Sequence, residues 1–182
     1  MPNWCNGELF VTGKKEELQK FKEFAFTEKK YENVDDTEAL DTEKFVPFPD
    51  KYYEIQAVKK KMETMTGKDK ANQEMLQVLE DNENPFEHLS QLDWCCLHWG
   101  TKWGICHSEL FEETDKKLTY TFDTAWSPCY QIIFAMSKKF PTLRFVYKFY
   151  EGGMGFSGKY VVKNGKVIED KYNSNYRGGR GG

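Results

Sequence analysis

The chain has 182 residues, of which 39% are hydrophobic and 16% aromatic, so it predicts one packed domain or a core domain with an insertion, not a disordered polymer. Its net charge of −3 is unevenly spread: residues 1–96 hold 13 basic against 21 acidic side chains, and residues 97–182 hold 13 against 8. No run is apolar enough to span a bilayer, MPNWCNGELF lacks the regions of an export signal, and five cysteines in no framework spacing suit free thiols in a reducing cytoplasm.

The first element, NWCNGELFVTG, alternates weakly and predicts a strand from about Trp4 to Val11. In KKEELQKFKEFAF, Leu18, Phe21 and Ala25 recur at helical spacing against a charged face, which predicts an amphipathic helix. Residues 27–93 are charged and helix-prone, interrupted by FVPFP, with apolar stripes at Ile55, Val58, Met62 and Met65 and at Met75, Leu76 and Leu79. A third helix is expected to begin in PFEHLSQL near Pro85, which makes the region a mostly helical insertion.

Strand patterns return in LHWGTKWGI, KLTYTFDTAW and LRFVYKFY, and KYVVKNGKVI predicts a hairpin about Asn-Gly. Between them SPCYQIIFAMSKKFP predicts a helix with Ser127 as N-cap, Pro128 in its first position and Pro141 past its end. The order is the split β-α-β pattern of an α+β, ferredoxin-like antiparallel sheet with two helices on one face. Its expected parts are 1–26 and 94–172 as core, 27–93 as insertion, a C-terminal hairpin extension, and 173–182 as a disordered Gly/Arg tail.

On extended strands Trp99, Thr101 and Trp103 would share a face, as would Tyr120, Phe122, Thr124 and Trp126, and Phe145, Tyr147 and Phe149. Such rows are expected as core beneath the helices; the alternative is a platform on which bases of single-stranded nucleic acid stack. Lys102 and Asp123 lie off those faces, are expected in solvent, and join Trp99, Trp103, Trp126 and Phe156 as candidate binding residues.

Cys95, Cys96, His98, Cys106 and His107 make a poor metal set, because close ligand pairs are missing and a straight strand separates His98 from Cys106 by about 26 Å. Nothing in the spacing of His88, His98 and His107 places a base against a nucleophile, so catalytic residues, metal and cofactor are not expected. GMGFSG at Gly153 to Gly158 matches a glycine-rich phosphate loop in letters, but a strand follows where a dinucleotide site needs a helix, so a turn is expected. The acidic run holds Glu32, Asp35, Asp36, Glu38, Asp41 and Glu43; it is a solvated loop or a phosphate-mimicking patch for a basic channel. The tail carries Arg177 and Arg180 among glycines, like a short RGG segment.

PNWC at Pro2 to Cys5, FVPFP, WGTKW, FDTAWSP and GMGFSG, in that order, resemble the YubB-like, ferredoxin-like family of phages, plasmids and other mobile elements. The acidic run and the RGG tail are not part of that pattern. The resemblance implies the fold and a mobile-element origin, hence the cytoplasm of a bacterial host, without an established activity or cofactor. The size is also similar to that of anti-CRISPR inhibitors. The expected function is a non-catalytic counter-defence protein that binds a host RNA-guided nuclease or its nucleoprotein complex and blocks DNA binding or cleavage, with Asp35, Asp36, Glu38, Asp41 and Glu43 occupying a basic channel. Alternatives are a single-stranded RNA- or DNA-binding module using the sheet aromatics, Arg177 and Arg180, and a nucleotide-binding sponge or hydrolase using Gly153 to Gly158.

Overall fold

The computed structural model describes residues 3–31, 34–64, 85–86 and 89–175; for 29–31, 34–37 and 61–64 only the backbone is described. These residues form two compact units, one of 1–46 with 95–182 and one of 47–94.

In the larger unit, β1 (Trp4–Thr12) alternates inward and outward, burying Cys5, Gly7, Leu9 and Val11. Helix α1 (Lys15–Ala25) buries Leu18, Phe21 and Ala25, as its spacing predicts, and carries Glu16 and Glu17 in its first turn and Lys22 in its last, where each sign suits the helix dipole. The next segment departs from the expected mostly helical insertion, for which the pattern predicts no strand: β2 (Thr27–Tyr31) and β3 (Val34–Glu38) form an antiparallel hairpin with Lys29 opposite Asp36 and Lys30 opposite Asp35. Its high charge hides the strand signal, because neither strand has the alternation of a half-buried sheet. A single 3₁₀ turn, Thr42–Lys44, follows, with Asp41 accepting from the Glu43 amide at 3.0 Å.

The sheet continues with β4 (Cys106–Glu113), β5 (Lys117–Ala125), β6 (Arg144–Glu151), β7 (Phe156–Lys163) and β8 (Lys166–Asn173). Its order is β4-β5-β1-β6-β7-β8 and every pairing is antiparallel. The first four are the ferredoxin-like core, with β1 between β5 and β6; β7 and β8 extend it through a turn in which Asn164 and Gly165 have φ of 52° and 62°, as an Asn-Gly hairpin requires. Register sets Leu9 beside Tyr120 and Tyr147, and Val11 beside Leu118 and Phe145, all buried. Phe21 of α1 sits on this face with ring centroids 5.2–6.0 Å from Phe45, Tyr120, Phe140 and Phe145. The rows are therefore core at Tyr120, Phe122, Phe145, Tyr147 and Phe149, which leaves Trp103 and Trp126 as the row members within reach of solvent.

Three boundaries differ from the sequence expectation. LHWGTKWGI is not a strand: helix α3 (Gln91–His98) takes its start, and residues 99–105 form a turn in which Gly100 and Gly104 have φ of 78° and 75°. Those left-handed glycines break the alternation that the tryptophans suggest. The third predicted helix thus begins at Gln91, not near Pro85, where Ser90 caps it by accepting from the Asp93 amide at 3.1 Å. The helix after Pro128 is α4 (Tyr130–Lys139), and Ser127 serves instead as a tie, donating to the Gly100 carbonyl at 2.6 Å.

The smaller unit contains α2 (Asp50–Thr64) and an aromatic cluster on the second half of FVPFP: Phe48 lies 4.3 Å from Tyr52, 5.9 Å from Phe86 and 5.1 Å from Trp94 between ring centroids. The second predicted stripe, Met75 to Leu79, lies outside the described residues.

Candidate functional site

Three separated stretches meet where β1 and β5 end: the N-terminal Asn3 and Trp4, the 99–105 turn, and the residues after Ala125. The Trp126 amide donates to the Asn3 carbonyl at 3.0 Å, Thr101 Oγ1 to the Ala125 carbonyl at 2.9 Å, and the Ile105 amide to Thr42 Oγ1 at 2.8 Å. Gly104 is needed here twice over, since its φ is positive and a Cβ would lie 2.6 Å from Thr42 Oγ1.

On this support Lys102 Nζ lies 4.8 Å from the ring centroids of both Trp103 and Trp126. The two indoles are 46% and 45% exposed, which is unusual for residues of that size. Trp4 extends the ledge, with its ring 6.0 Å from Trp103 and 5.0 Å edge-on from His107. His107 Nδ1 lies 3.2 Å from Asp123 Oδ2, and Asn6 Nδ2 donates to Asp123 Oδ1 at 2.6 Å. Among the described residues three non-glycines have positive φ; one is the turn residue Asn164, and the other two, His107 at 52° and Trp126 at 69°, both belong to this ledge. Left-handed backbone costs about 1–3 kcal/mol for such a residue, and its concentration in one cluster marks the ledge as a functional candidate.

The ledge borders a concavity of about 1270 Å³ on the sheet face opposite the helices, reached through Asn6, His107 and Asp123 and floored by polar side chains of β1, β5, β6, β7 and β8. It can hold a ligand by hydrogen bonds and charge, with aromatic contacts from Tyr150 in its lining and from the indoles at its rim.

The predicted residues divide accordingly. Lys102, Trp103, Trp126 and Asp123 come together, although Asp123 is partnered by Asn6 and His107 instead of standing free in solvent. Trp99 does not share a face with Trp103: it is buried, and its Nε1 donates to the Val46 carbonyl at 2.8 Å. Phe156 is buried against Tyr172, 5.6 Å away. In the acidic run Glu38 accepts from the amide and hydroxyl of Ser108, and Asp41 is buried as the cap described above, so both are used internally. Glu43 is half-buried. The side chains of Asp35 and Asp36, and all of Glu32, Arg177 and Arg180, lie outside the described residues.

The glycine-rich stretch is the turn between β6 and β7, and its amides already have an anion. Glu151, buried, accepts from Gly153 at 2.8 Å and from Met154, which occupies the donors a phosphate would need. Gly158 is required because Phe149 and the Lys171 carbonyl stand where its side chain would be. Burial pushes the Cys5 thiol up to about 12 and raises that of Cys129, so neither is a ready thiolate. Among the described residues no three of His, Cys, Asp and Glu gather as metal ligands, and no helix is long and apolar enough to cross a membrane.

Trp4, Asn6 and His107 are the ledge residues that sequence reasoning does not nominate. The first strand supplies a signal for the first two, since its alternation puts Trp4 and Asn6 on one side; His107 needs its contact with Asp123 to be recognised.

Residues 98–178 match the family model described as the ferredoxin-like domain in Api92-like protein, a span that includes Lys102, Trp103, His107, Asp123 and Trp126. The chain is also similar to the crystal structure of a protein Api92 from Yersinia pseudotuberculosis, with a TM-score of 0.56 and 9% identity over 95% of this chain and 98% of that one. At that identity the likeness is one of fold. No curated protein matches the chain. Residues 98–178, which hold five of the six strands of the sheet, thus match a ferredoxin-like domain model, while β1 lies outside the match.

Proposed function

We propose that this chain is a non-catalytic binding protein of a mobile element, a counter-defence inhibitor of the anti-CRISPR kind that occupies a host RNA-guided nuclease, and that the Trp4, Lys102, Trp103 and Trp126 ledge makes the principal contact. The observation that supports it is the pair of half-exposed indoles gripping Lys102 on a strained, hydrogen-bonded support. Tryptophan is the residue type that most often dominates an interface, and a support already ordered loses little entropy on docking. The motif resemblance to the YubB-like proteins supplies the mobile-element setting. Because Glu38 and Asp41 are used internally, the ledge replaces the acidic run as the proposed contact.

The test is to mix the chain with a panel of guide-loaded nucleases and measure complex formation by size exclusion and DNA cleavage against dose. Inhibition should saturate near equimolar protein and weaken at least about tenfold in Trp103→Ala with Trp126→Ala, a loss of about 1.4 kcal/mol or more, while the thermal midpoint holds. If no nuclease is bound, or if guide or target disappears at substoichiometric protein, the proposal fails.

A further inference from the structure

The open face carries a line of residues in register across all six strands. From β4 to β8 it runs Glu109, Thr121, Glu8, Lys148, Lys159, Lys171, each directly opposite the next. All six line the concavity. The acids stand at one end and three lysines at the other, on adjacent strands about 4.8 Å apart. Like charges directly opposite each other in a sheet are unfavourable, and here the placement occurs twice in succession. Glu169 offsets part of it, bonding Lys159 Nζ and Lys171 Nζ at 2.8 Å each, so two of the three ammonium groups share one carboxylate. Lys148 makes no ion pair among the described residues and rests its Nζ 5.0 Å over the Phe10 ring.

Two residues further along the same face runs a second line, Asn6, Tyr150, Ser157, Asn173, again in register and on the same concavity. It supplies hydrogen-bonding groups and one half-exposed ring beside the lysines.

We propose that the Lys148, Lys159 and Lys171 row is a phosphodiester-binding site for single-stranded nucleic acid, with sugars and bases lying toward Tyr150, Ser157 and Asn173. Charge selects a polyanion, and the direction of the row selects its kind. An acidic peptide lying across the strands gains no main-chain hydrogen bonds, because the sheet's amides and carbonyls are spent in the ladder, whereas a phosphodiester chain draws its affinity from phosphate contacts alone. Glu8 and Glu109 end the site by repelling phosphate from the β4-β5-β1 half. This site adjoins the tryptophan ledge at Asn6 but shares none of its lysines with it, and it does not depend on the nuclease reading.

Labelled decathymidylate, decauridylate and decaglutamate are titrated into the full chain by fluorescence anisotropy from 50 to 200 mM salt, with circular dichroism to confirm folding of each variant. Both oligonucleotides should bind, decaglutamate should not, and the combined variant Lys148→Gln, Lys159→Gln, Lys171→Gln should lose at least about tenfold in affinity. Its slope of log affinity against log salt should shrink by about 2, three phosphate contacts at about 0.7 each. Lys148→Gln alone, which leaves the Glu169 pairs intact, should shrink it by about 0.7. Equal affinity for the two oligonucleotides supports pure backbone contact, and a preference for decauridylate supports ribose contacts at Ser157 or Asn173. Unchanged affinity and slope in the combined variant, equal binding of decaglutamate, or no oligonucleotide binding at 50 mM salt overturns the proposal.

Discussion

On the helix-covered face of the sheet, Tyr120, Phe122, Phe145, Tyr147 and Phe149 are buried, whereas the same strands present Thr121, Asp123, Lys148 and Tyr150 on the open face. The difference teaches that the aromatic wealth of this chain mostly builds its core. What that leaves towards solvent is the polar alternates, with the exposed indoles at the rim of the sheet.

The comparison breaks most easily at Phe21, which touches four rings and covers the aromatic face. Phe21→Ala should cost about 3–5 kcal/mol in urea unfolding; a loss under about 1 kcal/mol would mean that this face is not the core. The next test is Glu151, the charged member of the covered row Phe145, Tyr147, Phe149. Glu151→Ala strands the Gly153 and Met154 amides and should cost about 1.5–3 kcal/mol, measured the same way. The third sharpens the contrast in the opposite direction. Tyr120 Oη is buried without a hydrogen-bond partner among the described residues, and burial raises its pKa, so Tyr120→Phe should leave stability unchanged or raise it by up to about 1 kcal/mol; a clear loss would reveal a bound partner for the hydroxyl.

The smallest effect belongs to the open face. Hydrogen bonds from Lys159 and Lys171 lower the Glu169 carboxyl to about 2. Because the folded pKa lies below the unfolded one, near 4.5, this group's contribution is present above about pH 4.5 and lost as pH falls towards 2. A carboxyl titration by NMR should place Glu169 near 2 in the wild type and move it upward in Lys159→Gln with Lys171→Gln. An ordinary titration in the wild type would mean that the lysines do not pair with it.

The ferredoxin-like order was legible at β1, β5 and β6, where Leu9 and Val11, Tyr120 and Phe122, and Phe145 and Tyr147 each declare a buried side two residues apart; β4 was hidden, because Ser108 is its one buried residue. The Asn164-Gly165 hairpin was legible from turn chemistry alone. What was hidden depends on contacts distant in sequence. Trp99 and Trp103 have the period of a strand, yet Gly100 and Gly104 send one indole to the Val46 carbonyl and the other into solvent. Glu38 looks like a solvated acid until Ser108, 70 residues later, is placed against it. The lysine row was illegible for the same reason, since Lys148, Lys159 and Lys171 stand in line only once the register of three strands is known.

The position of β1 between β5 and β6 has a consequence for the order in which the molecule is made. Its partners lie more than a hundred residues downstream, the Asn6 to Asp123 hydrogen bond alone spanning 117 positions. At about 5–20 residues per second, the last of β6 emerges from the ribosome roughly 7–30 seconds after β1 does. Until β5 is made, late in that interval, Leu9, Phe10 and Val11 have neither neighbour, so the first strand synthesised stays open at both edges while most of its sheet does not yet exist.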